Sequence, residues 1–158
     1  MPRFTNILCP VDFDQNSLAA VPVAAELARE HKATLYLLHV VQLRLAPEPA
    51  LSSRDAQTAA EAKLVRIGHQ KLKVGTRYEI LVMTGDPAVA VLQMVAKLGI
   101  DLIVMATHGR QGLRRLFLGS VAERVVREAR CPVLTVKPKA ARAGTPRTRP
   151  RPKPVVEK

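Results

Sequence analysis

The sequence predicts an α/β protein built on a doubly wound, five-stranded parallel sheet with four helices. Five short runs rich in Val, Leu and Ile alternate with segments whose apolar residues recur at helical spacing. The run at Asp101 to Ala106 is nearly continuous in hydrophobicity, which suits a strand covered on both faces, whereas Thr76 to Met83 partly alternates. The resulting order, β-α-β-α-β-α-β-α-β, becomes a parallel sheet when each crossover is right-handed.

The first strand is Phe4 to Val11, F-T-N-I-L-C-P-V, closed by the polar run Asp12 to Ser17. A helix over Ser17 to His31 follows, with Asp14 or Asn16 as N-cap and Leu18, Val21, Ala25 and Ala28 on its apolar face. Pro22 lies too far inside for a first helical position and predicts a slight bend. Ala33 to Val41 is the second strand, and Gln42 to Asp55, with Pro47 and Pro49, is an irregular excursion above the sheet. Helical period returns over Ala56 to Lys73 through Ala59, Ala62, Val65 and Leu72. Thr76 to Met83 is the third strand. Gly85-Asp86-Pro87 then supplies a turn, an N-cap and a first-turn proline for a helix facing the core through Val89, Leu92, Val95 and Ala96 and ended by Gly99. Asp101 to Ala106 is the fourth strand. A last helix opens at Ser120, with Val121, Val125 and Ala129 on one face, and Pro132 to Val136 is the fifth strand.

Composition bounds the rest. With 158 residues and 47% hydrophobic residues the chain suits one domain, assigned to residues 1–137. Aromatics at 3% and the absence of Trp predict an aliphatic core and argue against base-stacking nucleic-acid modules. Residues 138–158 are proline-rich, basic and without apolar spacing, and read as a disordered tail. The formal charge of +12 is concentrated there: residues 137–158 hold eight Lys or Arg against one acid, leaving 17 against 12 before them. Such a tail is either a solvated extension or a weak contact for polyanions. Cys9 and Cys131 belong to no Cys/His cluster, so no metal site is expected and both read as buried reduced thiols. No apolar run approaches 18 residues and the N-terminal stretch has no apolar signal core, which predicts a cytoplasmic protein without membrane spans.

The stretch from Met105 to Val121, M-A-T-H-G-R-Q-G-L-R-R-L-F-L-G-S-V, joins a buried strand to a helix start through a loop rich in Gly and Arg. Loops at the carboxyl end of a parallel strand, leading into a helix N-terminus, favour anions. Two readings of these residues stand side by side. Gly109, Gly112 and Gly119 are either ordinary turn glycines or a phosphate cradle. Ser120 with Glu123 is either a capping box or part of a ligand site. His108, Arg110, Arg114 and Arg115 are likewise either a polar surface or ligand groups.

The chain resembles the universal stress protein family over roughly Phe4 to Lys137, through I-L-C-P-V-D, L-L-H-V, G-D-P, C-P-V-L-T-V and a glycine signature. That signature is Gly, two residues, Gly, nine residues, then Gly followed by Ser or Thr. Gly109, Arg110 to Leu118 and Gly119-Ser120 match it, whereas Ala106 stands at the first glycine. The resemblance implies strand order 3-2-1-4-5, a Rossmann-like fold of the adenine nucleotide alpha hydrolase-like type, and ATP, with or without Mg2+, as ligand. It implies Pro10, Val11, Asp12 and Val40 beside adenine and ribose, with Asp12 accepting from ribose hydroxyls. Met105 and Ala106 would cover the sugar, Gly109 to Gly112 with His108 and Arg110 would surround the phosphates, and Gly119, Ser120 and Val121 would add helix-terminal donors. The family also implies a homodimer through Val133 to Val136. Asp12 has a second reading, as the cap of a turn after the strand.

Walker lysine, G-x-G-x-x-G, H-E-x-x-H and G-x-S-x-G motifs are absent, and His108 has no partner, so no catalytic constellation is present in the sequence. Three classes of function follow: an ATP-binding regulatory stress-response protein, a nucleotide-free dimeric interaction protein of the same family that Ala106 would favour, and an adenylate-handling enzyme. Deleting Ala140 to Lys158 should leave the melting temperature and nucleotide affinity unchanged and lower any polyanion binding, with the loss larger at low salt. A large fall in melting temperature would show a docked tail.

Overall fold

In a computed structural model of the chain, which describes residues 3–42, 53–107 and 118–137, the five strands form one sheet in the order β3-β2-β1-β4-β5. The strands are β1 (Asn6–Pro10), β2 (Thr34–Val41), β3 (Tyr78–Thr84), β4 (Leu102–Ala106) and β5 (Val133–Val136), and all neighbours are parallel. The helices are a single turn α1 (Gln15–Leu18), then α2 (Ala20–His31), α3 (Ser53–Lys71), α4 (Pro87–Leu98) and α5 (Ser120–Glu128). The expected fold class and strand order are thus both present.

Side chains alternate across the strands and so divide into two cores. Ile7, Cys9, Leu35, Leu37, Leu102 and Val104 meet the buried residues of α2 and α3 on one face. Leu8, Leu38, Ile103 and Met105 meet those of α4 and α5 on the other. Because β1, β2 and β4 feed both cores, their runs carry no polar alternation. Burial also pushes the Cys9 thiol up to about 12, so Cys9 is an inert core residue. Cys131 is only half-buried, which corrects the expectation of two buried thiols.

The helices differ from expectation in where they begin and which face they bury. The expected helix from Ser17 is interrupted at Ala19: α1 ends at Leu18 and α2 restarts at Ala20. Pro22 therefore falls in the first turn of α2, where its missing N–H has no helical partner to lose. Asp14 is the N-cap of α1 but makes no capping bond through its side chain. In α3 the buried stripe is Ala60, Leu64 and Ile67, while Val65 of the expected face is 42% exposed. In α4 it is Ala88, Val91 and Met94, one position from the expected set. Both helices have apolar residues around most of their circumference, so the sheet's position selects the stripe. Gly68 permits the close approach of α3, since a Cβ there would lie 2.7 Å from the Tyr78 hydroxyl on β3. At α4 the expected signals hold: Asp86 Oδ1 accepts from the Val89 N–H at 2.8 Å, and Gly99 ends the helix at φ 59°.

The amino-terminal end of the sheet is tied by Asp101, just before β4. Its carboxylate accepts from the Thr5 N–H at 2.7 Å, the Thr5 hydroxyl at 2.6 Å and the Asn6 N–H at 3.1 Å. Asn6 Nδ2 in turn donates to the Leu98 carbonyl at the end of α4. These contacts set β1 and β4 side by side although 92 or more residues separate the partners. Asp101→Ala should lower the unfolding free energy by about 2–3 kcal/mol, since three donors lose a charged acceptor at a partly wet site. Urea unfolding measures this, and a loss below about 0.5 kcal/mol would show the tie to be incidental.

Candidate functional site

The carboxyl ends of β1 and β4 form the switch point of this sheet, where the chain leaves β1 toward the α2 face and β4 toward the α5 face. Pro10 is the last residue of β1. The next N–H, of Val11, donates to Leu38 of β2 at 2.8 Å. Since successive residues of a strand address opposite neighbours, the position of Pro10 faces β4, and proline brings no N–H to it. Registered pairing of β1 with β4 accordingly stops at Leu8 and Ile103, whereas pairing with β2 continues through Pro10. The β1/β4 ladder thus ends early beside Pro10, at the place where doubly wound sheets have their ligand crevice.

On one side of the crevice the chain folds into a tight polar turn. The Asp12 N–H donates to the buried Ser17 hydroxyl at 3.2 Å, and that hydroxyl donates to the Asp14 carbonyl at 3.0 Å. Asp12 Oδ1 accepts from the Asp14 N–H at 3.0 Å, so the carboxylate does cap its own turn. Phe13 sits between them at φ 65°. Val11 is held from behind as well, its carbonyl accepting from His39 Nδ1 at 2.7 Å.

The opposite side is the passage from β4 to α5. Met105 and Ala106 are the last residues of β4 and are buried. Positive φ among described non-glycine residues occurs only at Phe13 and Lys32, so the alanine in place of the signature's first glycine imposes no backbone strain. Buried Thr107 accepts at its carbonyl from the Gly119 N–H at 2.7 Å, and its own N–H donates to Val136 of β5 at 3.1 Å. The end of β4 and the start of α5 are therefore joined directly by a backbone hydrogen bond. His108, Gly109, Arg110 and Gly112, expected around phosphates, lie outside the described residues, as do Arg114 and Arg115.

Gly119 is the N-cap of α5, at φ −70° and ψ 158°, and as glycine it brings no side chain of its own to cap the helix. Ser120 is its first helical residue, so the expected capping box with Glu123 does not form; the Glu123 N–H bonds the Gly119 carbonyl at 2.8 Å and its side chain pairs with Arg127. The N–H groups of Ser120, Val121 and Ala122 have no acceptor within the helix, and the dipole adds partial positive charge there. Gly119 spends its N–H on Thr107 and needs no positive φ, so Ser120 and Val121 are the donors that α5 presents. Val40, near the end of β2, packs against the α4 and α5 core and is half-buried.

The structure thus brings Pro10, Val11 and Asp12 to one rim and Met105, Ala106, Gly119, Ser120 and Val121 to the other. Ser17, Phe13, Thr107 and His39 organise these rims without having been singled out in the sequence. Their signals, a serine in a polar run and a histidine in an apolar strand, acquire meaning only from their partners. A second groove, lined by Arg29, Lys32, Val74 and Arg77, lies at the amino-terminal end of the sheet, where Arg77 donates to the Lys32 carbonyl. It is remote from the switch point. Among the described residues no His, Cys, Asp and Glu group is placed to hold a metal ion, and no helix is long and apolar enough to cross a membrane.

A five-stranded parallel sheet in the order β3-β2-β1-β4-β5 with helices on both faces defines an α/β protein of the doubly wound, Rossmann-like class. Within that class the chain belongs to the universal stress protein family, whose model matches residues 3–137. It is 34% identical over 142 residues to a universal stress protein of Methanocaldococcus jannaschii, covering 85% of this chain and 82% of that one. Among solved structures, universal stress protein UspA from Lactobacillus plantarum superposes with a TM-score of 0.72 at 28% identity, over 86% of this chain and 99% of that one. A family member from Arabidopsis thaliana, solved with AMP bound, matches with a TM-score of 0.58 at 25% identity, over 86% and 93% of the two chains.

Proposed function

We propose that this chain is an ATP-binding regulatory protein of the stress response, holding the nucleotide across the crevice between β1 and β4. The observation that carries the reading is the start of α5 at Gly119, joined by its N–H to Thr107 at the end of β4, so that the first N–H groups of the helix lie at the carboxyl edge of the sheet. The AMP bound to the Arabidopsis relative supports an adenine nucleotide as the ligand class. In this reading Pro10, Val11 and Val40 border the base, and Asp12 accepts from the ribose hydroxyls. Met105 and Ala106 line the sugar side. His108, the Gly109 to Gly112 stretch and Arg110 surround the triphosphate, with or without Mg2+. The role is binding, with at most slow hydrolysis of the ATP.

We also infer a homodimer formed through β5. This strand ends the sheet, so its outer edge has no strand partner among the described residues, and Leu134 on it is 40% exposed while Val126 on neighbouring α5 is 47% exposed. Leu134→Lys should convert dimers to monomers in sedimentation velocity, and wild-type protein that runs as a monomer at micromolar concentration would refute the pairing.

Calorimetry with ATP tests the principal reading. Wild type and Ala106→Gly should bind within a few-fold of one another, because Ala106 strains nothing. Gly119→Val should weaken binding at least tenfold, about 1.4 kcal/mol, by crowding the ligand. Ser120→Ala removes one hydroxyl and should cost about 1 kcal/mol. No binding by wild type or Ala106→Gly, with circular dichroism intact, would leave the nucleotide-free interaction protein as the function.

A further inference from the structure

We propose that His39 and Phe13 are positioning residues that act through Asp12, holding the β1 to α1 turn in the one geometry that aims its carboxylate at a nucleotide sugar. The inference rests on the ATP reading for its ligand and on this chain's own contacts for its mechanism.

Val11 is clamped to β2 at both of its backbone groups, its N–H on the Leu38 carbonyl at 2.8 Å and its carbonyl on His39 Nδ1 at 2.7 Å. A carbonyl only accepts, so Nδ1 carries the hydrogen and the bond selects one arrangement of the imidazole. The same ring stacks on Phe13, with centroids 4.1 Å apart and planes inclined by 27°. The Lys63 ammonium of α3 stands 5.2 Å from the centroid of the Phe13 ring, within the range of a cation–π contact.

Asp12 is thus the residue between two fixed points, Val11 bonded to His39 and Phe13 stacked on it. Phe13 holds φ 65°, a left-handed conformation that side chains other than Gly, Asn and Asp rarely adopt. Such an outlier persists only where its surroundings over-determine it. Here the surroundings are the His39 ring and the α3 lysine, both outside the turn. On the far side the Asp12 N–H is held by Ser17. A rotation of the Asp12 peptide would therefore break the His39 bond, the stack or the Ser17 bond.

The test uses the full-length chain and three variants, His39→Ala, His39→Asn and Asp12→Asn, with the double variant His39→Ala/Asp12→Asn. Asparagine places an N–H close to where Nδ1 stands, so it restores the bond to Val11 without the ring. In nucleotide-free protein, hydrogen exchange of the Asp12 and Asp14 amides should quicken at least about tenfold in His39→Ala and recover most of that loss in His39→Asn. Exchange unchanged in His39→Ala overturns the proposal, whatever the nucleotide does. In calorimetry with ATP, His39→Ala and Asp12→Asn should each weaken binding about tenfold, and the double variant should be within about threefold of either single one. Additive losses would mean that His39 acts independently of Asp12, which also overturns it. Wild-type protein that fails to bind ATP while the exchange pattern follows expectation would refute the ATP reading and uphold the positioning role.

Discussion

β1 pairs with β2 along five registered positions but with β4 along only two, and most of what distinguishes this molecule depends on that asymmetry. A parallel sheet that stayed zipped to its carboxyl edge would leave no room between its central strands. Here proline ends the zipper on one side without weakening the other, because the lost donor faces β4 alone. The Asp101 carboxylate closes the opposite end of the same strand pair through three hydrogen bonds. Tied at its amino end by Asp101 and unpaired beyond Leu8 and Ile103 at its carboxyl end, the β1/β4 pair marks the switch point of the sheet.

The two rims of that crevice are stabilised by different means. The β4 to α5 rim relies on backbone pairing, with Thr107 joined to Val136 on one side and to Gly119 on the other. Anchoring of this kind tolerates substitution of side chains, and it accounts for alanine standing at position 106 without strain. The β1 to α1 rim relies on side chains: Ser17, His39 and Phe13 each contribute a contact that the backbone could not make for itself. The first rim holds the start of α5, whose first N–H groups have no acceptor within the helix. The second leaves a carboxylate held in one place. A phosphate donor set opposite a fixed acceptor suits a nucleoside phosphate better than a simple anion, and this is the physical content of the functional reading.

Membership of the universal stress protein family rests on the match over residues 3–137 and on relatives that agree in sequence and in fold. The basic tail beyond it is a separate matter, since its charge is a property of composition and has no counterpart in the cores described above.

The sequence by itself determined the class of fold and the position of every strand. Strands covered on both faces must be apolar throughout, and Asp86-Pro87 and Gly99 announce the ends of α4 by backbone chemistry that requires no tertiary partner. It did not determine which stripe of α3 or α4 would be buried, because Val65 and Leu64, or Val89 and Val91, are equally apolar and only the sheet beneath selects between them. It did not show that the first helix breaks at Ala19 or that Ser120 stands inside α5 rather than capping it, since both follow from how the turns pack. The contacts of Asp101 with Thr5 and of His39 with Val11 join residues 96 and 28 positions apart. Local pattern carries no trace of such distances, and the tertiary structure alone turns an ordinary strand histidine into a support for Asp12.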